Sequence, residues 1–255
     1  MSGFAVLAEL WDRVTAVQPA PPDWVVAASG VVALVVVVNR WAWHLTRNAI
    51  TIAHEGGHAL VSLLSGRRLD GIRLHSDTSG ETRSRGKPHG PGMVLTALAG
   101  YITPPLLGAG AAWLLAAHHV VALLWLLLLL LCATFLAMRN AYGVVAVLVT
   151  AAAVSVVTLL ASALVQSAFG YCAAWFLLLG GVRPVAELWR SRRRARRSGR
   201  GASDADQLAR LTGVPGGVWV GLFWLVALAA LALGARLLVP GSVHLAGLLH
   251  VSQIR

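Results

Sequence analysis

His54-Glu55-Gly56-Gly57-His58 lies between Ile50-Thr51-Ile52-Ala53 and Ala59-Leu60-Val61, an ionisable HExxH pattern carried by an apolar run. Residues four apart share one face of a helix, so both imidazoles reach a common metal ion, and Glu55 leans beside the open coordination position. Zinc held by two histidines and a third ligand lowers the pKa of bound water to about 7, and a neighbouring glutamate can take that water's proton. Ionisable side chains in an apolar span cost about 2.5–3.5 kcal/mol each on insertion, so such a group is retained mostly for function. The plainer alternative is a pair of bundle-facing histidines with a structural glutamate.

The setting is a membrane. Hydrophobic residues make up 57% of the 255-residue chain and charged residues only 12%. A soluble domain is nearer half apolar and a quarter charged. Apolar stretches bounded at about 24–38, 48–65, 93–116, 120–138, 142–164, 167–189 and 218–239 predict an all-α polytopic membrane protein of about seven transmembrane helices. Three pieces follow: an interfacial amphipathic segment over 1–23, a transmembrane domain over 24–239 with a basic loop at 190–210, and a tail over 240–255. After the HExxH helix, Ile72 and Leu74 alternate with Arg73 and His75, Asp77-Thr78-Ser79-Gly80 reads as a turn, and Glu81 to Ser84 as a return strand. A short β-hairpin beside the metal helix is expected.

The net charge of +11 is concentrated in loops, above all in Arg190, Arg192, Arg193, Arg194, Arg196, Arg197 and Arg200. Between two hydrophobic spans such a run is a topology signal rather than a nucleic-acid surface. Placing it in the cytoplasm puts the Arg67–Lys87 stretch, Arg139-Asn140 and the N-terminal segment there as well, with His118-His119 and the tail outside. Arg40 and Arg47 then fall on the outer side. Cys132 and Cys172 stand alone in apolar runs without a CxxC partner, which gives no support to a disulfide framework or a cysteine zinc site.

A catalytic zinc needs a third protein ligand. Asp70, in Leu69-Asp70-Gly71, is nearest in sequence, although Asp-Gly is also turn chemistry. Ser203-Asp204-Ala205-Asp206 gives two more candidates. Ser203 and Asp206 have the spacing of a capping box, with Gly213 as the helix stop, so Asp206 has structural work available. Asp204 has less, beyond the favourable charge at a helix start, and is the preferred third ligand. Its segment must dip inward to reach a metal that lies roughly 12 Å deep along the HExxH helix. Two further residues have structural readings: Glu187 pairs with Arg183 one turn earlier, and Asn140 caps the following helix or binds a substrate backbone.

With HExxH in a membrane helix and an aspartate in a late polar motif, the chain resembles the site-2-protease family of intramembrane zinc metallopeptidases. It is more closely similar to the small bacterial M50B-like branch. The matching stretches are His54 to Leu60, Gly66, Ser79-Gly80, Ala99-Gly100-Tyr101, Arg139-Asn140, Ser203-Asp204-Ala205 and Leu211 to Pro215. The resemblance implies zinc on His54 and His58 with Glu55 as general base. The family's third ligand is an aspartate of a Leu-Asp-Gly motif on a later membrane helix, whereas Leu69-Asp70-Gly71 here comes early and in a loop. The expected activity is zinc-dependent hydrolysis of peptide bonds in membrane-associated proteins or peptides, in a multi-pass protein of the bacterial cytoplasmic membrane. The alternative is a zinc-binding membrane sensor or transporter-like protein without protease activity.

Overall fold

The computed structural model describes residues 9, 11–12, 14–195 and 203–239. The expected tail over 240–255, much of the interfacial segment over 1–23, and Arg196, Arg197 and Arg200 lie outside the described residues. The chain forms α1 (Asp23–Val38), α2 (Arg40–Leu64), β1 (Arg68–Leu74), β2 (Gly80–Arg85), α3 (Pro91–Ala116), α4 (Val120–Ala137), α5 (Ala141–Leu160), α6 (Ala163–Ala195), α7 (Asp204–Thr212) and α8 (Gly216–Leu238). It is an all-α membrane bundle with one antiparallel hairpin after the HExxH helix.

Five helices, α3, α4, α5, α6 and α8, are each long and apolar enough to cross a membrane alone. The first two expected spans combine instead. α1 and α2 are bent by 100° at Asn39 and reach the length and apolarity of a span only as a pair, so the described helices give five spans, or six if the pair makes one broken crossing. The cause is local. Asn39 is in the extended region, and its Oδ1 accepts from the backbone N–H groups of Trp41 and Ala42 at 2.9 and 3.1 Å, starting a new helix immediately after α1 ends. Arg183 of α6 stabilises the corner: its guanidinium donates to the Val37 carbonyl and sits 4.7 Å over the Trp43 ring.

This break corrects the topology. The backbone N–H of Gln18 donates to His118 O at 2.9 Å, and Gln18 Oε1 accepts from Val121 N at 3.3 Å. The segment leading into α1 therefore lies at the α3–α4 turn, the end opposite the hairpin, and not with the basic loops as expected. Arg47 moves too. It is 3.2 Å from Glu187, near the end of α6 that carries the arginine run, so its apparent misplacement disappears. Glu187 also accepts from Arg183 at 3.2 Å, the expected pairing one turn apart. Linkers at the α3–α4 end (16–22, 117–119, 161–162) carry no Lys or Arg, while the hairpin end carries nearly all of the described basic residues.

Packing follows membrane rules, in which small residues let helices approach closely. At the α3–α4 end, Ala111, Ala112 and Leu115 meet Val26, Leu123, Leu124, Ala174, Leu178 and Ala230. At the opposite end, α7 docks through Ala205 and Leu208 onto Ala97, Val185, Val220 and Phe223. Large apolar side chains such as Leu129, Leu136, Val149 and Leu160 stay exposed on the outer face, where acyl chains would meet them.

The hairpin pairs Ile72 with Thr82 and Leu74 with Gly80, within the span expected from alternation. A bulge at Leu69/Gly71 breaks the register at Asp70. Ile72 and Leu74 are fully buried on the bundle. A short parallel bridge from Met138 to Ile72 borders β1 on its other side. Asn140 does not cap α5. Its amide donates to Leu74 O at 2.7 Å and its carbonyl accepts from Leu74 N at 3.2 Å, so one side chain acts as a further strand partner for β1.

Candidate metal centre

The helical period puts His54 and His58 one turn apart on α2, with ring centroids 4.7 Å apart. Their Nε2 atoms are separated by 3.1 Å. Asp204 Oδ2, at the start of α7, lies 3.2 Å from His54 Nε2 and 3.3 Å from His58 Nε2. Three ligand atoms bound to one tetrahedral zinc at 2.0–2.1 Å are separated by about 3.3 Å, so the triangle has the size this metal requires. Among the described residues these three side chains form a group able to share an ion.

The donor chemistry agrees with the geometry. His58 Nδ1 donates to Thr96 O at 2.7 Å, which in the neutral ring leaves the Nε2 lone pair facing the triangle. Lone pairs on two imidazoles and a carboxylate repel at this spacing unless a proton or cation sits among them. α3 approaches the triangle at Gly100, where a Cβ would fall 2.4 Å from His58 Nε2 and 2.5 Å from His54 Nε2. Glycine at that position leaves room for the two rings to converge.

Glu55 is 4% exposed and is held by the hairpin. Thr82 Oγ1 donates to Glu55 Oε2 at 2.7 Å, and Thr51 Oγ1 donates to Thr78 O at 2.9 Å, tying the hairpin to α2 at two levels. The strand passes close because residue 80 is glycine; a Cβ there would come 2.6 Å from Glu55 Oε1. A cleft of about 600 Å³ opens over this arrangement, lined by the HExxH residues, β2, the first turns of α3 and the start of α7.

The other candidates have different places. Asp70 lines the rim of the cleft, and its Oδ2 accepts from Arg85 Nε at 2.8 Å. Asp206 is committed to the capping box: Ser203 and Asp206 satisfy each other's backbone, and Gly213 ends α7 in the left-handed region. Burial works against its charge, but hydrogen bonds from Ser203 and Arg192 lower its pKa below the ordinary value.

Several contributors are not evident from motif reading. Thr82 belongs to a strand recognisable by alternation, but its reach to Glu55 is tertiary. Tyr101 packs edge-on against His54 at 4.8 Å and stacks on Phe223 at 4.8 Å, buttressing the first histidine; its only signal is the Ala99-Gly100-Tyr101 stretch. Arg192 is hidden among other arginines.

No curated protein and no solved structure matches the chain. A family model, that of the peptidase M50B-like proteins, matches residues 27–234. Since that match runs from α1 to α8 and takes in every element around the cleft, the chain belongs to the peptidase M50B-like family of membrane proteins.

Proposed function

We propose that the protein is an intramembrane zinc metalloendopeptidase that hydrolyses peptide bonds of membrane-associated substrates. His54, His58 and Asp204 would hold the metal, and Glu55 is the general base. The observation that carries the reading is the triangle of ligand atoms 3.1 to 3.3 Å apart, with the Glu55 carboxylate in the same cleft. When bound, zinc supplies Lewis-acid polarisation and acidifies water at neutral pH. Glu55 takes the proton of the attacking water and delivers it to the leaving amine, with Thr82 orienting its carboxylate.

A membrane helix hides its own scissile bonds, so the substrate must unwind to react. The outer edge of β2 has no strand partner among the described residues and lines the cleft through Gly80 to Ser84. It is suited to receive an extended substrate as an added strand. The charge bias between the two ends supports an orientation with the cleft toward the cytoplasm, and the resemblance to the small bacterial branch suggests the bacterial cytoplasmic membrane.

The test is metal analysis and cleavage on the same purified protein. Stoichiometric zinc in the wild type and its loss in His54→Ala, with cleavage of a co-expressed membrane protein abolished by Glu55→Gln, support the reading. Zinc without any Glu55-dependent cleavage favours the sensor or transporter-like alternative, and absence of zinc overturns both.

A further inference from the structure

We propose that Arg192, from within the arginine run, is the positioning residue that aims Asp204 at the metal centre. The inference rests on the zinc reading above. Its neighbours behave as topology arginines: Arg190 and Arg193 are exposed, and Arg193 lies 5.0 Å over the Trp189 ring. Arg192 points the other way. Its side chain is 15% exposed, and its Nη1 donates to Asp206 Oδ1 and, at 3.2 Å, to Ser203 Oγ. One guanidinium on α6 thus grips the capping box that starts α7.

The grip and the ligand lie on opposite sides of the same turn. Residues two apart on a helix are rotated by about 200°, so Arg192 holds the Asp206 face while Asp204 projects from the other. Ala205 and Leu208 bury α7 against the bundle, but apolar contacts tolerate small rotations that a metal ligand does not. Zinc–ligand distances are fixed to about 0.2 Å. The ion pair at Asp206 supplies the directional restraint that apolar packing lacks.

The third wall of the socket is Gly216, in the first turn of α8. A Cβ there would come 2.3 Å from Arg192 Nη2 and 2.9 Å from Ala205 O. Arg192 can occupy its place only while residue 216 has no side chain. α6, α7 and α8, which share an apolar cluster through Val185, Leu208 and Phe223, therefore also meet at one guanidinium.

The test uses the full chain in detergent and reads zinc affinity by competition with a chromophoric chelator. Arg192→Ala is expected to weaken zinc binding 10–100-fold, the usual effect of losing an outer partner of a ligand. Arg192→Lys, which keeps a cationic donor, recovers part of that loss. In an Asp204→Ala background Arg192→Ala has no further effect, because the two act through one ligand. Gly216→Ala, which removes no charge, reproduces the loss and carries the test if Arg192→Ala fails to fold. The melting midpoint of the chelator-stripped protein checks folding. Wild-type affinity in both Arg192→Ala and Gly216→Ala, or the same fold loss with and without Asp204, overturns the inference while leaving the zinc reading intact. Absence of zinc in the wild type overturns the reading and the inference together.

Discussion

Thr82 on the hairpin donates its hydroxyl to the Glu55 carboxylate on α2 at 2.7 Å, so the strand beside the cleft also orients the side chain proposed as general base. Thr82→Val keeps the shape and removes the donor. A hydrogen bond to a charged group contributes about 1.5–3 kcal/mol, which corresponds to a roughly 10–100-fold loss of cleavage rate. Zinc content stays at the wild-type level, and Thr82→Ser restores most of the rate. Parallel metal analysis and cleavage assays separate the two effects.

Gly100→Ala is expected to eliminate tight zinc binding although alanine is the better helix former. The added methyl would sit 2.4 Å from His58 Nε2 and 2.5 Å from His54 Nε2, so the imidazoles must give way before the backbone does. Zinc affinity should fall by at least the 10–100-fold typical of outer-sphere damage, with the melting of the chelated protein little changed. Retention of full affinity would show that the rings do not converge as described.

Asp70→Ala and Asp204→Ala should diverge. Asp70 is spent on an exposed pair with Arg85, worth about 0–1 kcal/mol, and its loss leaves zinc in place. Asp204→Ala removes a ligand atom and leaves a weakened two-histidine site that no longer retains stoichiometric zinc through purification, although added zinc still binds it. Metal analysis of the two variants side by side decides the third ligand, and the reverse pattern would reassign it to Asp70.

Asn140→Ala should loosen the hairpin without touching the metal. It strips the partners from both backbone groups of Leu74, a fully buried residue, at about 1–3 kcal/mol for each group left unsatisfied. Faster amide exchange across β1, a lower melting temperature and reduced cleavage at unchanged zinc content are the expected results.

Much of this was readable from local pattern. The hairpin follows from alternation around Asp77-Thr78-Ser79-Gly80, and the capping of α7 from the spacing of Ser203, Asp206 and Gly213, because both depend on residues close in sequence. The corner at Asn39 was not readable. An asparagine between two apolar stretches looks the same as a loop between two spans, and the side-chain cap that turns the chain by 100° leaves no mark in hydropathy. Hydropathy therefore places the segment leading into α1 on the hairpin side, whereas Gln18 meets His118 at the opposite end. The sequence suggests for Asn140 and Arg192 their commonest roles, helix cap and topology charge, because their actual partners, Leu74 and Asp206, come from other elements.

The membrane setting, the hairpin and the pairing of His54 with His58 around Glu55 are legible in the chain without its fold, because hydrophobicity and the helical and strand periods act over a few residues. Tertiary structure alone brought Asp204 to 3.2 Å from His54 in preference to Asp70 or Asp206. The physical reason is that a ligand's approach depends on the orientation of its whole helix. That orientation is set by Ala205 and Leu208 in the bundle and by Arg192 on its first turn, contacts that no local spacing encodes.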